Sequence, residues 1–198
     1  MRTIETKVYK FNELSEEAKE NAIDKLRDIN VDYNGWWEDD FLLDIGLPKN
    51  ISKKVDVILA NEGCVMFNWE RIYFNIDRNR YIQFVNLKVD DRYIDLFRQF
   101  LGIPKALWKN VYYTFSNKNN TYYSYNPNTY IVFEHQENKD FTEKQWNILE
   151  KAQKKFDDLV FNAWQQLDSQ YDYLISDESI IETIEANDYE FTEEGELI

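Results

Sequence analysis

The chain has 198 residues, of which 43% are hydrophobic and 17% aromatic, and it carries a formal charge of −14 at pH 7. That length suits one ordinary domain, and the aromatic content supplies enough buried area to exclude a disordered chain. One cysteine, Cys64, and one histidine, His135, exclude an internal disulfide and a Cys/His zinc set.

Residues 3–11 alternate imperfectly, with Ile4, Thr6 and Val8 on one parity, and predict a strand. Ser15 stands as an N-cap before Glu16 and Glu17, and Ala18, Ala22, Leu26 and Ile29 follow at helical spacing, so a helix is expected over about 16–30. A second helix is expected over Trp36–Ile45, stopped by Gly46 and Pro48. Short β-rich runs come next: Val55–Ala60, Cys64–Trp69, Ile72–Ile76 and Tyr81–Val89. Asn61-Glu62-Gly63 reads as the tight turn between the first two of these. Asp91–Leu101 reads as a short helix ended by Gly102 and Pro104, and Val111–Phe115 and Tyr130–His135 as strands flanking a polar loop, Ser116–Thr129.

The last third is strongly helical. Thr142 and Gln145 have the spacing of a capping box, and Phe141 and Trp146 that of a hydrophobic staple. From there Trp146, Leu149, Phe156, Val160, Ala163, Trp164, Leu167 and Tyr171 share one face to about Tyr173, a rod of about 45 Å. Ile175 and Ile180 flank Ser176 as a second staple opening a final helix that ends near Asn187, and Tyr189–Ile198 is left for a terminal strand or a turn at Gly195. With no repeat and no Pro- or Gly-rich linker, the expectation is a single α+β domain over 1–198, in which an antiparallel sheet of five or six strands packs against the N-terminal helix and the long C-terminal helix.

Location sharpens the meaning of the charge. Residues 1–155 hold 24 acidic and 23 basic side chains, whereas residues 156–198 hold 13 acidic and no basic ones. Residues 49–118 reverse the sign, with 12 Lys/Arg against 7 Asp/Glu. Such an asymmetry points to a charged interaction surface. No apolar run approaches the roughly 20 residues of a membrane span, and Met1–Lys7 does not lead into the apolar stretch of a secretory signal, so a soluble, cytoplasmic protein with no membrane contact is expected.

Catalytic motifs are scarce. A Ser/His/Asp or Cys/His arrangement has only His135 to use as base, and that residue ends a strand while Cys64 belongs to another segment. Five separated glycines form neither a P-loop nor a dinucleotide fingerprint. Glu38, Asp39, Asp40 and Asp44 lack the alternating spacing and tight turn of a cation loop. We therefore expect no catalytic residue, no metal and no cofactor.

The constellation that stands out is acidic. Glu178, Glu182 and Glu185 recur at i, i+4 and i+7 opposite Ile180, Ile181 and Ile184, which sets the carboxylates roughly 6 Å apart in a row. Asp168, Asp172, Asp177 and Asp188 extend the field. A line of negative charge of this kind is sparser than a strand of DNA phosphates but comparable to it, so the expected partner is a basic, nucleic-acid-binding protein, with no direct binding to duplex DNA. Like charges also serve solubility alone, and the long helix is a rod of the sort by which proteins form homodimers. A separate ligand-binding reading rests on Arg71, Tyr73, Arg78, Arg80 and Tyr81, where cations interleave with aromatic faces as on nucleotide-binding surfaces.

Three segments carry a resemblance: Tyr9-Lys10-Phe11-Asn12-Glu13-Leu14-Ser15-Glu16-Glu17-Ala18-Lys19, the pair Trp36-Trp37 before Glu38, and Ile184-Glu185-Ala186-Asn187-Asp188-Tyr189-Glu190-Phe191-Thr192-Glu193-Glu194-Gly195. Over about a third of its length the chain resembles phage-encoded proteins labelled antitoxins of a toxin–antitoxin stability system. It departs from them at Ala60-Asn61-Glu62-Gly63-Cys64, where similar proteins have a glycine-richer turn. The resemblance implies a phage accessory protein acting in the bacterial cytoplasm. It transfers no functional residue. Together with the acidic surface it leads to the expectation of a stoichiometric inhibitor of a bacterial defence factor, the anti-CRISPR class included. The alternatives are an antitoxin neutralising a toxin protein, and a nucleotide-binding sponge using the aromatic, basic centre.

Overall fold

Ser15 caps α1 (Glu16–Lys25) by accepting the Ala18 N–H on its side-chain oxygen at 3.2 Å, so the first helix starts at the expected residue. The structure is a computed structural model, and it describes residues 7–32, 47–75, 81–117 and 128–198. The helix expected over 36–45 lies outside them. The described residues gather into two compact units, one within 1–39 and 167–198 and the other within 40–166.

In the first unit, β1 (Tyr9–Lys10) pairs antiparallel with β8 (Glu190–Phe191), Tyr9 opposite Phe191. Of the strand expected over 3–11, the described residues 7, 8 and 11 lie outside β1, whereas β8 is the short terminal strand that 189–198 suggested, followed by the turn at Gly195. Pairing of the two strands sets Phe11, Leu14, Ala18, Ala22 and Ile23 against Ile180, Ile184 and Phe191 in one buried cluster. Ile180 and Ile184 come from α6 (Asp177–Ala186), which Ser176 caps by accepting the Ser179 N–H at 3.3 Å. Beyond α1, the Asn30 amide donates to the Leu174 carbonyl at 3.1 Å and to Ser179 Oγ at 3.0 Å, and it accepts from Thr183 Oγ1 at 2.8 Å. A single polar side chain thereby satisfies groups that burial would otherwise leave without water.

The second unit opens with α2 (Lys49–Glu62), and here the sequence reading is corrected. Val55–Ala60, expected as a strand, is helical. Ile51 and Val55 are buried one turn apart while Val57 is 59% exposed, so tertiary burial follows a helical period and overrides the β preference of the valine–isoleucine run. Gly63 does have positive φ (+64°), but as the residue ending this helix, its N–H donating to the Leu59 carbonyl, and not as a hairpin turn.

Four strand pairs, counting β1 with β8, replace the single sheet of five or six strands that the sequence suggested. Among the described residues the other three are β2 (Phe67–Asn68) with β5 (Lys88–Val89), β3 (Arg71–Asn75) with β4 (Tyr81–Val85), and β6 (Val111–Asn117) with β7 (Thr129–His135). The reason lies where β4 meets β6 and β7. The Phe84 N–H donates to Thr129 Oγ1 at 2.8 Å, Thr129 Oγ1 donates to Asn117 Oδ1 at 2.7 Å, and Asn117 Nδ2 donates to the Phe84 carbonyl at 3.1 Å. Side chains thus occupy both hydrogen-bonding groups of Phe84 that a neighbouring strand would have used, so the two hairpins abut without sharing a ladder.

Between the hairpins the chain forms a 3₁₀ turn (Asp91–Tyr93), α3 (Ile94–Leu101) and the short α4 (Lys105–Trp108). Phe97 of α3 is fully buried and meets Phe67, Phe100, Tyr113, Phe115 and Phe156, with ring centroids 5.5–6.5 Å apart. Phe156 belongs to α5 (Glu143–Leu174), which begins as expected. Thr142 and Gln145 bond reciprocally, and Phe141 packs edge-on against Trp146 at 5.2 Å. Leu149, Phe156, Val160, Ala163 and Leu167 form the buried stripe, while Trp146 itself is 44% exposed.

Asp90 caps the 3₁₀ turn, accepting the Arg92 N–H at 3.0 Å and the Arg92 guanidinium at 2.7 Å. The guanidinium bond, then the backbone bond, hold its carboxyl down at about 2. Because the folded pKa lies below the unfolded one, the stabilisation is complete above the ordinary carboxylate range and is lost as pH falls through about 2. A carboxyl carbon titration by NMR should place Asp90 near that value, and Arg92→Ala should raise it toward the usual value of about 4 while leaving it lowered, because the N–H of residue 92 still donates to the carboxylate.

Candidate functional site

Helix α6 divides its residues cleanly. Ile180 and Ile184 are buried at 0% and 1% exposure, while Glu178, Glu182 and Glu185 on the other face are exposed. A helix with that period keeps the three carboxylates in one row because its apolar stripe is committed to the core. On α5, Asp168 is half-buried and Asp172 exposed, one turn apart.

Two of the seven predicted acidic residues have a different occupation. Asp177 receives the Arg27 guanidinium, which also reaches Asp24 at 2.9 Å and the Ile175 carbonyl at 3.0 Å. Asp188 pairs with Lys10 at 2.9 Å, and the same lysine reaches Glu190 at 3.2 Å. Near the end of the chain, Glu196 pairs with Lys25 at 2.6 Å. The tail contains no lysine or arginine, yet cations of the N-terminal segment neutralise part of it. Sequence reasoning missed Lys10, Lys25 and Arg27 because the pairing of β1 with β8, which brings the two ends together, is not visible in either segment alone.

What remains is the row on α6 and the pair on α5. Among the described residues, Asp168, Asp172, Glu178, Glu182 and Glu185 enter no ion pair. Tyr173 donates its hydroxyl to Glu182 at 3.1 Å. That bond, the charge of Glu182 and, more weakly, the charge of Glu178 raise the Tyr173 pKa above its ordinary value. A neutral hydroxyl facing these carboxylates anchors the row to the end of α5 without cancelling its charge.

The imbalance follows the division into units. In residues 7–32 and 167–198, 18 Asp/Glu stand against 5 Lys/Arg, whereas the described residues of 40–166 are close to balanced, with 13 against 14. One unit holds nearly all of the net charge.

The alternative ligand residues are only partly assembled. Arg71 lies 5.8 Å over the Tyr73 ring and donates to its hydroxyl at 3.2 Å on the exposed side of β3. Arg78 and Arg80 lie outside the described residues, as does the Tyr81 side chain. His135 Nδ1 accepts the Glu137 N–H at 3.1 Å and its ring packs on Phe141 at 5.2 Å, a local turn arrangement. The Cys64 carbonyl accepts from the Tyr93 hydroxyl at 2.7 Å. Among the described residues no three His, Cys, Asp or Glu side chains gather into a metal-binding group, and no helix is long and apolar enough to cross a membrane. Glu38, Asp39, Asp40 and Asp44 lie outside the described residues.

No family model, curated protein or solved structure matches this chain. The functional reading therefore rests on the residues themselves.

Proposed function

We propose that the chain is a stoichiometric binding protein whose acidic unit occupies the basic, nucleic-acid-binding surface of a bacterial protein, a defence nuclease being the target class. The observation that carries this reading is the segregation of charge: among the described residues one unit holds 18 carboxylates against 5 cations, while the other is nearly neutral. Charge needed only for solubility has no reason to concentrate in this way. Solubility is served as well by negative groups spread over the whole surface. Concentrated charge instead steers a complementary partner and accelerates encounter.

Within that unit the exposed row of Glu178, Glu182 and Glu185 is the expected centre of contact, since Asp177 and Asp188 are already engaged by Arg27 and Lys10. The test is affinity capture from a bacterial lysate with the native chain and with a Glu178→Lys/Glu182→Lys/Glu185→Lys variant. Exposed substitutions of this kind leave the α6 core residues in place. The native chain should retain a basic nucleic-acid-binding protein at about 0.05 M salt and hold it more weakly at about 0.3 M, where the Debye length has fallen to roughly 6 Å. The triple reversal should abolish capture. Retention of the same partner by the reversed variant would remove the acidic row from the account.

A further inference from the structure

Within the nearly neutral unit lies a groove of about 790 Å³, inside the size range of small-ligand sites. Phe84–Val89, Trp108, Lys109 and most of strand β6 line it. The bond from Asn117 to the Phe84 carbonyl ties β6 to β4 within this lining. Its chemistry is mixed in a specific way. Half-buried Trp108 stacks on Tyr113, with ring centroids 5.3 Å apart and planes 29° from parallel. Lys88 and Lys109 line the same groove, both are exposed, and among the described residues neither enters an ion pair. One carboxylate, Asp91, also lines it, and it lies near enough to Tyr113 for its charge to add to the effect of burial, which together push the Tyr113 hydroxyl up to about 12.

We propose that this groove binds a nucleoside monophosphate, with the base against the Trp108–Tyr113 pair and the phosphate on Lys88 and Lys109. An apolar ligand would leave both ammonium groups unanswered, and an inorganic anion would leave the aromatic wall unused. Aromatic faces accept any base by stacking, and lysine binds phosphate as a point charge. Asp91 supplies an acceptor for an exocyclic amine or a sugar hydroxyl. With one carboxylate against two lysines the lining carries a net charge of +1, which favours a single phosphate over a triphosphate chain. These residues differ from Arg71 and Tyr73, and the proposal stands independently of the acidic surface.

Titration calorimetry with AMP, adenosine and inorganic phosphate tests it. AMP should bind saturably at one site per chain, with adenosine and phosphate each at least about tenfold weaker, since each lacks half of the contacts. Lys88→Glu/Lys109→Glu changes two exposed side chains, so its thermal midpoint should match the native chain while AMP affinity falls by about tenfold or more, the scale of a lost charge-assisted hydrogen bond. Trp108→Ala should weaken AMP and adenosine together and leave phosphate unchanged. Absence of saturable AMP binding, phosphate affinity equal to that of AMP, or undiminished AMP binding by the double lysine variant would each overturn the assignment.

Discussion

Gly195→Ala is expected to destabilise the acidic unit by about 3 kcal/mol or more, while Gly63→Ala costs only about 1 kcal/mol. Both glycines have positive φ, +81° and +64°, so both substitutions carry the left-handed penalty. They differ in what a methyl group would meet. At Gly63 no atom lies within 4 Å of the added Cβ, whereas at Gly195 the Ala18 carbonyl oxygen lies 2.1 Å away and its carbon 3.0 Å. That obstacle is the backbone of α1, which cannot rotate aside. Relief requires separating the terminal turn from α1, and with it the Phe11–Phe191 contact at 6.2 Å and the bond from Asn21 to the Glu194 carbonyl. Urea denaturation followed by circular dichroism gives the two costs, and amide exchange at Phe191 should accelerate in the Gly195 variant alone. Equal costs at the two sites would mean that the close approach is not maintained in solution.

This geometry gives a physical account of the two terminal segments of the chain. Tyr9–Lys19 and Ile184–Gly195 supply β1 and β8, five of the eight buried cluster residues, the others being Ala22 and Ile23 of α1 and Ile180 of α6, and the Gly195–Ala18 approach. Their residues are fixed by packing on one another. The carboxylates proposed to meet a partner lie mostly outside these segments, Glu185 and Asp188 excepted. These stretches thus build one unit, and the proposed partner contact falls to the exposed face of α6.

Signals written within a few residues of each other were legible in the sequence: the Ser15 and Ser176 caps, the Thr142–Gln145 box with its Phe141–Trp146 staple, and the amphipathic stripe of α5. Each depends on spacing along one element. The α2 segment misled because Val55, Val57 and Ile58 carry β preference whichever structure they adopt, and only the burial of Ile51 and Val55 on one face settles it. The division into separate hairpins was illegible for a further reason. It depends on Thr129 and Asn117 reaching the backbone of Phe84, 45 and 33 residues away, and no local pattern encodes such a bond. The pairing of Asp177 and Asp188 was illegible for the same reason, because Arg27 and Lys10 come from the opposite end of the chain.

Phe97→Ala should be the most damaging substitution in the second unit, costing about 4–5 kcal/mol, the upper part of the range for a buried phenylalanine. Its side chain has 0% exposure and lies against five aromatic rings drawn from β2, α3, β6 and α5. Truncation leaves a cavity whose walls come from elements with little ladder bonding to pull them closed, since the β6–β7 hairpin shares no sheet with β2 or β4. Edge-to-face contacts such as those with Phe67 and Phe156, at 90° and 87°, add about 0.5–1.5 kcal/mol each beyond the area they bury. Phe97→Leu keeps most of the volume but none of that ring geometry, and should cost about half as much. Urea midpoints for the two variants separate the contributions: a leucine variant as unstable as the alanine variant would assign the core's cohesion to aromatic contacts, and one as stable as the native chain would assign it to filled volume alone.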